Sequence, residues 1–255
     1  MQAAFDSSPA RALFLTAPAM KGMAAALAQG CGRVWADSPL RPRAAVGAVG
    51  DFILCVGTPG PSAGHLLRQA LHSGNRPWRI LAEGDWRGKL RRLTAFRTAE
   101  RYAFDCERQP EDAGLMRWLR TAPADVTTVM IDAARYADCQ AQEWSRDLVA
   151  GYTDAADYEA RGLGVLVLLR GEPVAGASSC FSWPGGFETE AATRPDMRRR
   201  GYGLLAGASL ILAGHQRGLK VSWDADNAAS AALAEKLGYR PLGSYTVCRL
   251  LGEEA

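Results

Sequence analysis

Three arginines run directly into a glycine turn at Arg198-Arg199-Arg200-Gly201-Tyr202-Gly203. A glycine at 201 lets the backbone turn tightly and approach a ligand, and Gly203 keeps the opening turn of the following helix clear of a side chain. The first N–H groups of that helix lack intrahelical partners and carry the positive end of its dipole, about half an elementary charge. With guanidinium groups beside them as bidentate donors, a diphosphate matches the segment better than a single carboxylate. A solvated charge run beside a helix start is the alternative, because a short glycine loop is a weak signal by itself. The spacing is neither GxGxxG nor GxxxxGK[ST], which argues against dinucleotide and nucleoside-triphosphate sites.

Just upstream, Glu188 and Glu190 alternate along a strand-like run, so they share one face while Thr189 and Ala191 share the other. Two carboxylates so close raise the pKa of at least one, which suits general acid–base work. Exposure to solvent, or simple attraction of a cation, are the other roles open to either. Trp144, Trp183, Asp224 and Asp226 are candidate substrate-binding residues, since aromatic walls with acids suit a polycationic sugar or polyamine. Core placement is the ordinary alternative for each tryptophan. Asn227 stands at a helix start, where capping the free N–H groups is a role in itself. His65, His72 and His215 show no triad or metal spacing, and the six scattered cysteines contain no CxxC pair, so no metal is expected.

The elements that must carry these residues follow from periodicity and turn chemistry. Residues 163–169, 174–183 and 187–193 read as three strands of an antiparallel meander, separated by turns at Gly171-Glu172-Pro173 and Pro184-Gly185-Gly186. A helix over 203–216, a strand over 219–223, a helix over 227–237 and a strand over 241–250 complete a mixed sheet. Ahead of the meander, residues 138–150 and 155–160 read as helices. In the first half, helix over 18–29, a hairpin of 44–49 with 52–56 about Gly50-Asp51, helix over 62–71, extended 78–82, helix over 86–93 and extended 101–106 form a smaller α/β lobe. The polar stretch 107–123, with a short helix at 113–119, reads as the connection, which divides the chain into 1–123 and 124–255.

Composition bounds the remaining choices. The chain has 255 residues, 48% hydrophobic and 22% charged, as expected of an ordinary globular protein long enough for two lobes. A net charge of +3 is too small and too dispersed to favour nucleic acid. No signal or membrane segment is expected, so the cytoplasm is the expected location, with the cysteines as reduced thiols.

The spacing of Arg198, Gly201 and Gly203 resembles the pyrophosphate loop of the GNAT acetyltransferase superfamily, Arg/Gln-x-x-Gly-x-Gly/Ala. Asp226-Asn227 and Glu235-Lys236-Leu237-Gly238-Tyr239 resemble the start and end of that superfamily's following helix. Glu143-Trp144-Ser145, Gly176-Ala177-Ser178-Ser179 and the run from Ser222 to Asn227 resemble, more narrowly, a bacterial subfamily with an extra N-terminal lobe. Its members are linked to resistance against amino-containing antibiotics such as zwittermicin and aminoglycosides. The likeness spans residues 129–250 and, more loosely, the first lobe.

The resemblance implies an α/β (α+β) GNAT fold with a splayed mixed sheet, preceded by a lobe that reads as a degenerate copy. It also implies acetyl-CoA as cosubstrate, with backbone groups of Ala191 and Thr193 on its pantetheine arm. Arg198, Arg199, Arg200, Gly201, Tyr202 and Gly203 would then hold its diphosphate, and Asn227 and Ser230 would lie near its thiol end. Glu188 or Glu190 would be the base. The family's usual tyrosine acid is replaced by Ala234, leaving Tyr245, Tyr239 or a water to substitute. The implied activity is N-acetylation of a small cationic amine, aminoglycoside-like, conferring resistance; a protein or peptide amine and a non-catalytic acyl-CoA-binding module are the alternatives. One active site is expected, because Gly57-Thr58-Pro59-Gly60 has no basic residue and a proline removes one amide. The first lobe then either shapes the substrate pocket or makes a homodimer contact.

Overall fold

The computed structural model describes residues 5–74 and 78–251. Their contacts separate into two compact units: one of residues up to Ala103 together with those from Gly243 onward, the other Phe104–Leu242. The division after 123 expected from sequence is thus moved. The helix near 113–119 packs on the long helix of the second unit, and the last strand returns to the first.

The first unit carries α1 (Ser8–Ala12), α2 (Lys21–Ala28), β1 (Arg33–Ala36), β2 (Ala44–Val49), β3 (Phe52–Gly57), α3 (Ala63–Leu71), β4 (Arg79–Leu81), α4 (Asp85–Arg91) and β5 (Phe96–Phe104), where the chain passes to the second unit. The second carries α5 (Asp112–Leu119), β6 (Val126–Met130), α6 (Ala133–Ala141), α7 (Ala155–Arg161), β7 (Gly164–Leu169), β8 (Glu172–Trp183), β9 (Gly186–Thr193), α8 (Tyr202–Gln216), β10 (Lys220–Ser222), β11 (Asp224–Ala225) and α9 (Ala228–Leu237). The last strand, β12 (Pro241–Leu250), leads back to the first unit.

In the second unit the strands neighbour one another in the order β10-β9-β8-β7-β6. Strands β6 to β9 are antiparallel, and β10 joins β9 in parallel after the crossover helix α8. That helix is apolar all round because it is covered on most sides: nine of its fifteen residues, including Leu205, Leu210 and Ile211, are buried. The first unit repeats this order. Strands β1, β2 and β3 form an antiparallel meander, α3 crosses over, and β4 pairs with β3 in parallel. Strands β2 and β3 are buried on both faces, which explains their unbroken apolar sequence.

Several local expectations shift. The helix expected over 138–150 is instead α6, which starts earlier because the Asp132 side chain accepts the Arg135 N–H at 2.9 Å, and which stops at Ala141. Residues 142–152 fold instead as turns and a short 3-10 segment against β8. Strands β1 and β6 were not evident, since β6 is an edge strand whose Thr127, Thr128 and Met130 are exposed and lack the alternation of a half-buried strand. The extended piece near 101–106 is the end of β5. Among the described residues, no helix is long and apolar enough to cross a membrane.

Candidate active site

Strands β9 and β10 pair over only three positions. Lys220 stands opposite Gly186, Val221 opposite Phe187 and Ser222 opposite Glu188, after which β9 continues alone on that side to Thr193. The backbone groups of residues 189–193 that face β10 are left outside the ladder. Beyond Thr193 a short 3-10 turn, Pro195–Met197, delivers the chain to the arginine run.

The run bends through two left-handed residues, Arg199 at φ 62° and Gly201 at φ 87°. Such a conformation is ordinary for glycine and costly for arginine, so the surrounding structure must hold Arg199 there. The Arg198 Nε donates to the Thr193 carbonyl at 3.3 Å and ties the loop to the end of β9. Leu204 and Leu205 donate their N–H groups to the Gly201 carbonyl at 3.0 and 3.2 Å, so the internal bonds of α8 begin at Gly201. The amides of Tyr202 and Gly203 precede those bonds at the positive end of the helix. Gly203 also lies close to β9: a Cβ there would stand 3.2 Å from Thr193 Oγ1.

A groove of about 1150 Å³ opens along these elements. Ala191 and Thr193 line it from β9, and Arg198, Arg199, Gly201, Tyr202 and Gly203 from the loop. Asn227 and Ser230 line it from α9, and Trp144 from the segment after α6. Arg200 is exposed and outside this lining. Two guanidinium groups beside a helix start, with strand amides alongside, can hold a diphosphate and an extended amide-bearing chain.

The two carboxylates differ in setting. Glu188 is 2% exposed and sits at the fork itself, while Glu190 is half-buried. The charge of Glu188 reaches three neighbours. Burial and then Glu188 push the Cys106 thiol up to about 11, burial and then both Glu188 and Glu190 push Cys180 well above the ordinary thiol value, and burial and then Glu188 raise Tyr239. Tyr239 donates its hydroxyl to the Val221 carbonyl at 2.8 Å, which makes it a strut of β10.

The other sequence candidates are dispersed. Asn227 caps α9, its side chain accepting the Ser230 N–H at 3.0 Å, and Ser230 Oγ accepts the Trp223 indole N–H at 3.1 Å. The Trp144 indole donates to Gln142 Oε1 at 2.7 Å. Trp183 is buried against Phe181, ring centroids 6.2 Å apart, and stays out of the groove. Asp224 opens β11 and Asp226 follows it, and both are half-buried. Tyr245 lies on β12 in the first unit. Sequence reasoning missed Cys106 and Ser222 beside Glu188, because nothing in the chain around Cys106 marks it. It also missed Met197 and Leu233 in the groove wall.

The first unit has a corresponding strand end that is closed from within. Beyond Leu54, which is paired with Leu81, β3 runs on to Gly57, and the Gly57 carbonyl accepts the indole N–H of Trp86 at 2.9 Å. Trp86 comes from the first turn of α4 and is 3% exposed.

Comparison with known proteins agrees with this geometry. A GCN5-related N-acetyltransferase-like protein from Streptococcus suis 89/1591 superposes with a TM-score of 0.82 at 30% sequence identity, covering 95% of this chain and 98% of its own. A GCN5-related N-acetyltransferase from Kribbella flavida (TM-score 0.53, 20% identity, 82% of this chain and 87% of its own) shares the fold. So does a tandem GNAT protein from the clavulanic acid biosynthesis pathway (TM-score 0.54, 14% identity, 97% and 94%). A search of curated proteins finds no significant sequence match. GNAT enzymes use acetyl-CoA as cosubstrate. Because the GNAT acetyltransferase family model matches residues 12–248, nearly the whole of both units, the chain belongs to the GNAT acetyltransferase family and is an N-acetyltransferase.

Proposed function

We propose that this enzyme takes its acetyl group from acetyl-CoA and places it on an amine of a small cationic molecule, aminoglycoside-like in character. The observation that carries this reading is the position of Glu188, buried where β9 leaves β10 and followed on the same face by Glu190.

The residues present fit the cosubstrate. The left-handed turn at Arg199 and Gly201 brings the helix start and the two arginines Arg198 and Arg199 to the groove wall, and Gly203 lets β9 and α8 approach closely. Arg198, Arg199, Gly201, Tyr202 and Gly203 would hold the diphosphate, backbone groups of Ala191 and Thr193 the pantetheine arm, and Asn227 and Ser230 the thiol end, while Arg200, also expected there from sequence, lies outside the groove lining. Bound acetyl-CoA supplies an activated acyl group. The chain's own task is to present a neutral amine to it, and a carboxylate that accepts the ammonium proton, directly or through one water, performs that task. Glu188 fills this role, with Glu190 attracting the cation. Where relatives of the family have a tyrosine acid this chain has Ala234, which is fully buried, so reprotonation of the departing thiolate falls to solvent. The chemical likeness to antibiotic-resistance enzymes in the motifs around Trp144, Ser178 and Asp224 favours an amino-containing antibiotic over a peptide.

The test is thiol release from acetyl-CoA by the purified chain, with kanamycin and other aminoglycosides, a zwittermicin-like amine, spermidine and a set of peptides. Acetylated product with a compact cation and none with the peptides is the expected result. Silence across all the small amines would overturn the reading.

A further inference from the structure

The two carboxylates of β9 are separated, on the neighbouring strand, by an irregularity. Glu188 pairs with Phe181 and Glu190 with Ser178, so one residue of β9, Thr189, faces two of β8, Ser179 and Cys180. This is a β-bulge, which bends its strand and redirects the side chains on either side of it. The bulge is on β8, so it bends that strand and increases the local twist of the β8–β9 pair between the positions that carry Glu188 and Glu190.

Side chains at and beside the bulge are in turn held by groups from outside the β8–β9 pair. Ser179 Oγ accepts the Leu163 N–H at 2.9 Å and lies 2.5 Å from the Tyr152 hydroxyl. Ser178 Oγ lies 2.7 Å from the Tyr158 hydroxyl. The residue before Tyr152 is Gly151, whose backbone rests on the bulge: a Cβ there would overlap the Cys180 carbonyl oxygen. Both serines and both tyrosines are buried, and the two rings meet edge to face at 4.9 Å. Apolar residues would fill the same volume without needing partners, so four matched hydroxyls at this spot favour one backbone shape over a merely packed one.

We propose that Tyr152 and Ser179 are positioning residues of the transfer reaction: their hydrogen bond holds the bulge opposite Thr189 in the shape that sets Glu188 and Glu190. Tyr152 is the more direct member of the tyrosine pair, because its partner lies within the bulge and its neighbour Gly151 touches the bulge carbonyl. The proposal rests on the reading that these carboxylates serve the acceptor amine.

The test uses the full chain as Tyr152→Phe, Ser179→Ala and the double variant, read in two ways. Carboxyl NMR with labelled glutamate follows the titration of Glu188 and Glu190, assigned through Glu188→Gln and Glu190→Gln. Thiol release with acetyl-CoA and kanamycin follows turnover. Each single variant should move both titration midpoints by about half a pH unit and lower kcat roughly tenfold, with KM for acetyl-CoA within about twofold. The double variant should do no worse than the poorer single one, since removing both hydroxyls leaves neither unmatched. A purely structural role would lower the thermal midpoint and leave the titrations where they were, and unmoved titrations in both single variants overturn the proposal, whether or not kanamycin is turned over. Unchanged turnover of a competent amine by Glu188→Gln and Glu190→Gln would sink the base assignment instead, and leave the titrations to decide the role of Tyr152 and Ser179.

Discussion

Ser222 is the last residue of β10 to pair with β9, and its partner is Glu188. Glu188 thus stands at the point where backbone pairing between β9 and β10 ends. General-base catalysis contributes roughly 10²–10⁴-fold. Glu188→Gln should therefore lower kcat by about 10²-fold or more and remove the acid-side limb of the pH–rate profile, whereas Glu190→Gln should act mainly on KM for the amine. Steady-state thiol release across pH checks this. A larger kcat loss in Glu190→Gln would reverse the two roles.

The turn at Gly201 offers a test with an internal control. Gly201 and Gly185 share φ 87°, and neither has an atom within 4 Å of an added Cβ, so alanine at either site meets the same backbone penalty and no clash. That penalty is roughly 1–2 kcal/mol. At Gly201 it falls on the loop whose amides face the groove, and Gly201→Ala should weaken acetyl-CoA binding about tenfold. Gly185→Ala, in the turn between β8 and β9, should lower stability similarly and leave binding unchanged. Calorimetric titration of both variants distinguishes them.

Trp86 bears on stoichiometry. The indole occupies the strand end of the first unit and satisfies the Gly57 carbonyl, while the adjoining residues 57–60 carry no basic side chain and Pro59 lacks an N–H. Acetyl-CoA should bind once per chain. A calorimetric stoichiometry of two would refute this reading of the first unit.

Asp157 links pH to the support of the bulge. The Arg161 side chain, then the Thr153 N–H at 3.0 Å, hold its carboxyl down to about 2 from an ordinary 3.8. Because the folded value is the lower one, its stabilising effect is complete above the unfolded value near 3.8 and is lost as pH falls toward 2. Asp157 lies in the first turn of α7, the helix that carries Tyr158. Asp157→Asn should lower the thermal midpoint by a few degrees at neutral pH and flatten its decline between about pH 4 and pH 2. Calorimetric scans over that range test the sign. An equally steep decline in the variant would mean that other carboxylates dominate.

The turn and helix start of the loop were legible in the sequence because they need only neighbours in the chain. A run of arginines, a glycine able to take positive φ and a helix start are consecutive, and so is the alternation that places Glu188 and Glu190 on one face. The Asn227 cap and the stop at Gly238 were readable for the same reason. What only tertiary structure decided involves residues distant along the chain. Cys106 comes to Glu188 through the folding of the second unit, Trp86 reaches Gly57 through the packing of α4, and residues 142–152 lie on β8, the strand of the bulge at Ser179 and Cys180, instead of continuing α6. Propensity describes each segment against water, whereas burial of Glu188 and matching of the Tyr152 hydroxyl depend on which surfaces meet, and no local pattern encodes that pairing.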